Sequence, residues 1–264
     1  MRLQDEIAIV TGAARGLGES IARAIVEEGG KVLITDVTDD LGGALADALG
    51  PSARYQHLDV CEANQWRTAV STAERVWGPV SILVANAARH DMSRFDDIDE
   101  EEFTRVWRVN ALGCFLGMKA VVPSMRKAGR GSIVNIGSIA SIHPSGGLGY
   151  TASKFAIRGL SQAAARDLSP QNIRVNTVLP SWVIGPSTAG VDQSRIAAVL
   201  PVRRMGDTDK IAKLVTFLAS RDAEFITGSD FNVDGGAMLF GTYDIIGLLS
   251  GNGLGALAAD ALVR

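Results

Sequence analysis

The chain has 264 residues, 47% hydrophobic and 21% charged, which is ample apolar content for a large core and argues against disorder. Its formal net charge of -3 gives no electrostatic reason to expect nucleic acid or an anionic membrane as a partner. Cys61 and Cys114 read as reduced thiols, no Cys/His cluster has metal-site spacing, and neither a signal-peptide core nor an apolar run of about 18 residues occurs, so a soluble cytoplasmic protein without a metal is expected.

In chain order, short β-branched runs predict strands at 7–10, 32–35, 54–58, 81–85, 132–136, 174–178 and 231–233. Most are continuously apolar, as strands covered on both faces of a parallel sheet are. Helical periodicity falls between them, near 17–28, 40–49, 63–77, 100–127, 150–168 and 208–220. Strand and helix alternating at this pace imply right-handed βαβ units. The predicted fold is α/β, one domain over 1–240 with a doubly wound parallel sheet of about seven strands and helices on both faces. Two regions break the rhythm. Residues 181–207 hold several Pro and Gly around a short helical piece at 193–199, and a long insertion after a strand end predicts an active-site lid. Residues 241–264 form an apolar, Gly- and Ala-rich tail.

The first strand runs into Thr11-Gly12-Ala13-Ala14-Arg15-Gly16-Leu17-Gly18, and a helix follows. Glycines 12, 16 and 18 permit a tight turn and let a pyrophosphate approach the helix N-terminus, where unpaired amides and the dipole favour an anion; Arg15 and Leu17 lie in the same loop. Asp36 ends the second strand, 18 residues after Gly18, where a carboxylate can accept from an adenosine ribose and repel a 2′-phosphate. NAD is therefore expected rather than NADP, although Arg15 is a cation that could meet a 2′-phosphate. Asp59 and Val60, after the third strand, could receive the adenine edge; alternatively, Asp59 caps the next helix.

Tyr150 and Lys154 stand four apart, which on a helix places the ammonium beside the phenol and predicts a lowered tyrosine pKa. A phenol tuned towards neutrality can pass a proton to or from an alcohol oxygen, which Ser138 on a preceding strand end could hold.

This ordered set of motifs resembles the short-chain dehydrogenase/reductase family over roughly residues 5–240, with a general similarity to bacterial hydroxysteroid dehydrogenases and ketoreductases. The likeness rests on Thr11, Gly12, Gly16 and Gly18; on Ser138 in Asn135-Ile136-Gly137-Ser138; on Tyr150 and Lys154; on Asn110 in Arg108-Val109-Asn110-Ala111; and on Gly228, Asp234, Gly235 and Gly236. It implies a Rossmann-type fold and a nicotinamide cofactor. Tyr150 would be the general acid/base, Lys154 would lower its pKa and bind the nicotinamide ribose, and Ser138 would orient the substrate oxygen. Asn110 would hold a water linking Lys154 to solvent. Asn86, Ala87, Pro180 and the Val183 backbone would complete the cofactor site. Three departures from the family pattern stand out. Ala88 replaces a glycine after Asn86, Ser181 and Gly185 replace a glycine and a threonine after Pro180, and the Ser138–Tyr150 segment is one residue short.

Ser138, Ala140, His143 and Trp182 are expected to line the substrate pocket, with Ile139, Ile142, Leu148 and Ile184 beside them; His90 is a further candidate. This mostly apolar set favours a neutral, hydrophobic secondary alcohol or ketone, possibly steroid-like or cyclic. A 3-oxoacyl carrier protein reductase and a dinucleotide-binding protein without turnover are the competing readings. Helices 100–127 and 150–168 carry small residues (Ala111, Gly113, Gly117, Ala156, Ala163–Ala165) that pair subunits into a tetramer or serve the core of one subunit.

Overall fold

In the computed structural model, residues 1–239 are described; the 241–264 tail lies outside them. Seven strands, β1 (Ile7–Thr11), β2 (Lys31–Asp36), β3 (Ala53–His57), β4 (Ile82–Ala85), β5 (Gly131–Ile136), β6 (Ile173–Pro180) and β7 (Asp230–Val233), form one sheet in the order β3-β2-β1-β4-β5-β6-β7. Every pairing is parallel. The helices are α1 (Gly16–Glu27), α2 (Asp39–Leu49), α3 (Ala63–Trp77), α4 (Glu100–Trp107), α5 (Gly113–Ala128), α6 (Leu148–Leu168), α7 (Gln193–Val199) and α8 (Thr208–Ala219).

Alternation along the buried strands creates two cores. Ala8, Val10, Val32, Ile34 and Val84 face one side with Ile21 and Ile25 of α1, Leu45 of α2 and Val215 of α8. Ile7, Ile9, Leu33 and Leu83 face the other with Trp66 of α3, Met118 of α5 and Ile157 of α6. Because β1 lies between β2 and β4, the chain reverses direction across the sheet there, and a crevice opens at the carboxyl ends of β1 and β4. The predicted residues of the glycine loop and Ser138, Tyr150 and Lys154 come from strand ends or the start of a helix on this edge, and Asn110 from the turn between α4 and α5.

The structure refines the expected elements in two places. The long helix predicted over 100–127 is broken by a π-helical turn at Arg108–Leu112, where the Gly113 N–H reaches back five residues to the Arg108 carbonyl. A π turn inserts a residue without changing the apolar pattern, so helical periodicity alone does not reveal it. The small residues of α5 serve this subunit's own core: a Cβ on Gly113 would meet Val60 Cγ2 at 2.7 Å, and one on Gly117 would meet the Trp66 ring at 2.7 Å.

The 181–207 insertion is tied at its base. Val183 bridges Gly206 in parallel, the Gly206 N–H donates to Trp182 O at 2.8 Å, and the Ile184 N–H donates to Gly206 O at 2.9 Å. Asp192 caps α7 through the Ser194 and Arg195 amides. Arg203 donates to Ala198 O at 2.7 Å, a helix-end role rather than a substrate contact.

Candidate active site

The glycine loop is held from three sides. The Ala13 N–H donates to Thr35 O at 3.1 Å, and the Ala14 N–H donates to Asp36 Oδ2 at 3.0 Å. The Asn86 side chain donates to Thr11 O at 2.9 Å and Gly12 O at 3.0 Å, while the Thr11 hydroxyl accepts the Asn86 and Ala87 amides at 3.0 Å each. Gly12 has φ +60, and a Cβ there would stand 2.8 Å from Ala87 Cα, so the position is closed to other residues. A Cβ on Gly18 would collide with Gly12 O. Helix α1 starts here with Arg15 in extended backbone and no side-chain cap, leaving its first amides for an anion. Leu17 packs against the core and Arg15 is exposed.

Asp36 is engaged before any ribose arrives: Oδ2 takes the Ala14 amide and Oδ1 the Thr38 amide, each at 3.0 Å. Each carboxylate oxygen keeps a lone pair for a hydroxyl donor. Asp59 does not cap α3, whose N-cap is Glu62. Its carboxylate instead turns the chain by accepting the Cys61 amide at 2.9 Å. The Val60 carbonyl is taken by Trp66 Nε1 at 3.0 Å. Pro180 ends β6 beside Val233, and Pro186 of the insertion touches Gly16, 3.0 Å from where a Cβ would lie. The insertion therefore reaches the loop that would cradle a pyrophosphate. The cradle, its uncapped helix and the carboxylate beyond it fit a dinucleotide.

Ser138 leaves β5 in extended backbone and opens a 3-10 turn, its hydroxyl accepting the Ala140 N–H at 3.1 Å. Tyr150 and Lys154 lie one turn apart on α6, 8% and 2% exposed. Lys154 Nζ donates to Ile136 O at 2.9 Å and stands 5.5 Å from the centre of the Tyr150 ring. The expected lowering of the tyrosine pKa is not what this arrangement gives. Burial dominates and raises the Tyr150 phenol above its ordinary value, while the Ser138 hydroxyl works in the opposite direction. The same burial pushes Lys154 down to about 8. The cation is held by a carbonyl of β5 rather than by the phenol.

The side chain of Asn110 makes three hydrogen bonds. Its Oδ1 accepts the Arg89 N–H at 2.8 Å, and its Nδ2 donates to Arg89 O and Ser153 Oγ, both at 2.9 Å. It braces the site, and its Oδ1 keeps a second lone pair. Among the expected pocket residues, Ala140 is fully buried against Val106 and Tyr150, so it backs the tyrosine instead of lining an open wall. His143 and Trp182 are exposed. His90 is the histidine brought to the site: its ring stacks on Tyr150, centroids 4.4 Å apart at 21°. Burial and the Lys154 ammonium lower its pKa.

Sequence reading missed Asp91, whose carboxylate accepts the Tyr150 backbone N–H at 2.6 Å. A local signal exists. Helix α6 follows Gly147, which has no side chain to cap it, so a cap must come from elsewhere. Nothing in the sequence says from where.

The family model described as Enoyl-(Acyl carrier protein) reductase matches residues 12–238. The 3-alpha-(or 20-beta)-hydroxysteroid dehydrogenase of Mycobacterium tuberculosis (strain ATCC 25618 / H37Rv) is 42% identical over 238 residues, covering 90% of this chain and 91% of that protein. The trans-4-hydroxycyclohexanecarboxylate dehydrogenase of Sinomonas cyclohexanicum is 38% identical, covering 89% and 93%. The cyclopentanol dehydrogenase of Comamonas testosteroni is 36% identical, covering 89% and 98%. The crystal structure of gox2181 superposes with a TM-score of 0.87 at 29% identity, covering 90% of this chain and 98% of that one. At these identities and coverages the chain belongs to the short-chain dehydrogenase/reductase family of nicotinamide-dependent enzymes, and its chemistry is oxidoreduction at a CH–OH group.

Proposed function

We propose that the protein is an NAD(H)-dependent dehydrogenase of neutral, hydrophobic, cyclic secondary alcohols, working reversibly on the matching ketones, with Tyr150 as general acid/base. The observation that carries this reading is the buried Tyr150 phenol, with Ser138 and Lys154 around it at the sheet edge beside the glycine cradle. A bound nicotinamide dinucleotide would supply the hydride acceptor or donor. Ser138 holds the substrate oxygen by its hydroxyl. Tyr150 gives a proton to that oxygen in reduction and takes one in oxidation. Lys154, over the ring, favours the phenolate whenever the proton leaves. Asn110 braces Arg89 and Ser153 and would hold the water that links Lys154 to solvent.

Gly12, Gly16, Gly18, Leu17, Asn86 and Ala87 would form the pyrophosphate and ribose side of the site. Asp59 and Val60 would flank the adenine, and Pro180 and Val183 the nicotinamide. The charge of Asp36 supports NAD over NADP. His90 and Trp182 offer an aromatic wall to a ring-shaped substrate. The relatives, a hydroxysteroid, a hydroxycyclohexanecarboxylate and a cyclopentanol dehydrogenase, support a cyclic alcohol. Among the described residues no helix is long and apolar enough to cross a membrane. The description of the matching family keeps an acyl carrier protein thioester as a second reading.

The test is turnover with NADH and NADPH on a panel of cyclic ketones, steroid ketones and 3-oxoacyl and enoyl thioesters. Reduction of cyclic ketones with NADH preferred is the expected result. Thioester turnover with NADPH would replace this reading with the acyl one.

A further inference from the structure

We propose that Asp91 is a positioning residue for Tyr150, the anchoring member of a three-residue strap, Arg89-His90-Asp91, that fixes the phenol from the β4 edge. The inference rests on reading Tyr150 as the general acid/base. The strap grips the tyrosine at three places. Asp91 Oδ2 accepts the Tyr150 N–H at 2.6 Å, and its other oxygen accepts the Ser93 N–H at 3.2 Å. The ring of His90 stacks on the phenol ring. Arg89 exchanges two backbone hydrogen bonds with the Asn110 side chain, which donates on to Ser153, and the Ser153 hydroxyl donates to Tyr150 O at 2.7 Å. Both polar backbone groups of Tyr150 are thus held by a circuit that closes through residues 89–91. The guanidinium of Arg89 fixes the strap from outside by a paired contact with Glu102 at 2.9 and 3.1 Å.

The fit is specific to this chain's residues. Asp91 is 6% exposed, and its hydrogen bonds run to backbone amides rather than to a cation. A buried carboxylate is tolerated there because the positive end of α6 and the amides replace water. Gly147 leaves the space: a Cβ there would overlap Asp91 Oδ1, and the Gly147 N–H donates to the Asp91 carbonyl at 2.9 Å. The charged and titratable groups facing Tyr150 are Lys154 from α6 and His90 and Asp91 from the strap, with Cys114 of α5 facing Lys154. Of these, Asp91 acts on the tyrosine through its backbone amide.

The test compares wild type, Asp91→Ala and Asp91→Asn in alcohol oxidation, with folded fraction and NADH binding measured on the same samples. Asn retains an acceptor for the Tyr150 amide and Ala does not. The expected result is a roughly tenfold fall in kcat per folded molecule in Asp91→Ala, with KM for NAD within about twofold and most of the loss restored in Asp91→Asn. A purely structural cap would lower the active fraction and leave kcat per folded molecule in place. A kcat loss equal to the loss of folded protein, or an Asp91→Asn variant no better than Asp91→Ala, overturns the proposal. A wild type inactive on every alcohol removes the reading of Tyr150, and this inference with it. A wild type active with Asp91→Ala equal to it removes this inference alone.

Discussion

Lys154 is a fully buried ammonium that, among the described residues, hydrogen-bonds only to a strand carbonyl, and its pKa falls from 10.5 to about 8 through desolvation. Such a group opposes folding while it is charged. Below about pH 8 both folded and unfolded chains carry the proton and the whole penalty is felt. Between about 8 and 10.5 the unfolded chain binds more protons than the folded one, so stability rises with pH. A shift of this size corresponds to about 3 kcal/mol. Urea unfolding of wild type and Lys154→Met from pH 7 to 10 checks it. The wild type should gain on the variant as pH rises, and a constant difference would contradict the account. Asp36 is the second residue with a measurable consequence. Asp36→Ala removes the repulsion toward a 2′-phosphate and frees the Ala14 amide. The kcat/KM ratio of NADPH to NADH should rise at least tenfold, read by steady-state kinetics with either cofactor. At this scale the sequence showed residue types well and environments badly. Tyr150 and Lys154 were visible from their spacing, but the direction of the tyrosine shift depends on burial, which a four-residue spacing does not encode.

Among the elements, the start of α1 and the π turn carry the site. Gly18 meets both Gly12 O and the Asn86 side chain, 2.6 Å from Nδ2, where a Cβ would lie. Gly18→Ala should cost about 1–3 kcal/mol by overpacking. It should also weaken NADH binding, seen as a lower unfolding midpoint and a raised Kd in fluorescence titration. The strand ends and the glycine turn were legible because apolar runs and glycines mark them directly. The insertion helix at Gln193–Val199 was legible too, bracketed by Pro and Gly. The π turn was not, since Arg108–Leu112 sits in a continuous helical pattern, and its purpose, bringing Asn110 to the Arg89 backbone, is a tertiary contact 21 residues away.

For the molecule as a whole, the alternating pattern was enough to foresee a parallel sheet with two covered faces, because chirality and short connections leave few other arrangements. The contact from Asp91 to Tyr150 spans 59 residues and becomes visible only when β4 and β5 are neighbours and the β4 loop lies over the start of α6. With Gly113 and Gly117 used internally, the outer faces of the long helices present Trp107 on α4, Phe115 on α5 and Phe155 on α6, all exposed. These rings support pairing of these helices between subunits. Light scattering should give a multiple of the 27.8 kDa chain mass, and Phe115→Glu with Phe155→Glu should lower it. A monomeric wild type would contradict this.

The central claim is that Tyr150 moves the proton while the rest of the site holds cofactor and substrate. Tyr150→Phe tests it most directly, assayed for cyclic-alcohol oxidation with NAD and for NADH binding on the same preparation. The account predicts a kcat loss of at least about 10²-fold, the range general acid/base catalysis supplies, with NADH affinity within a few-fold of wild type. A variant that keeps its turnover would contradict it.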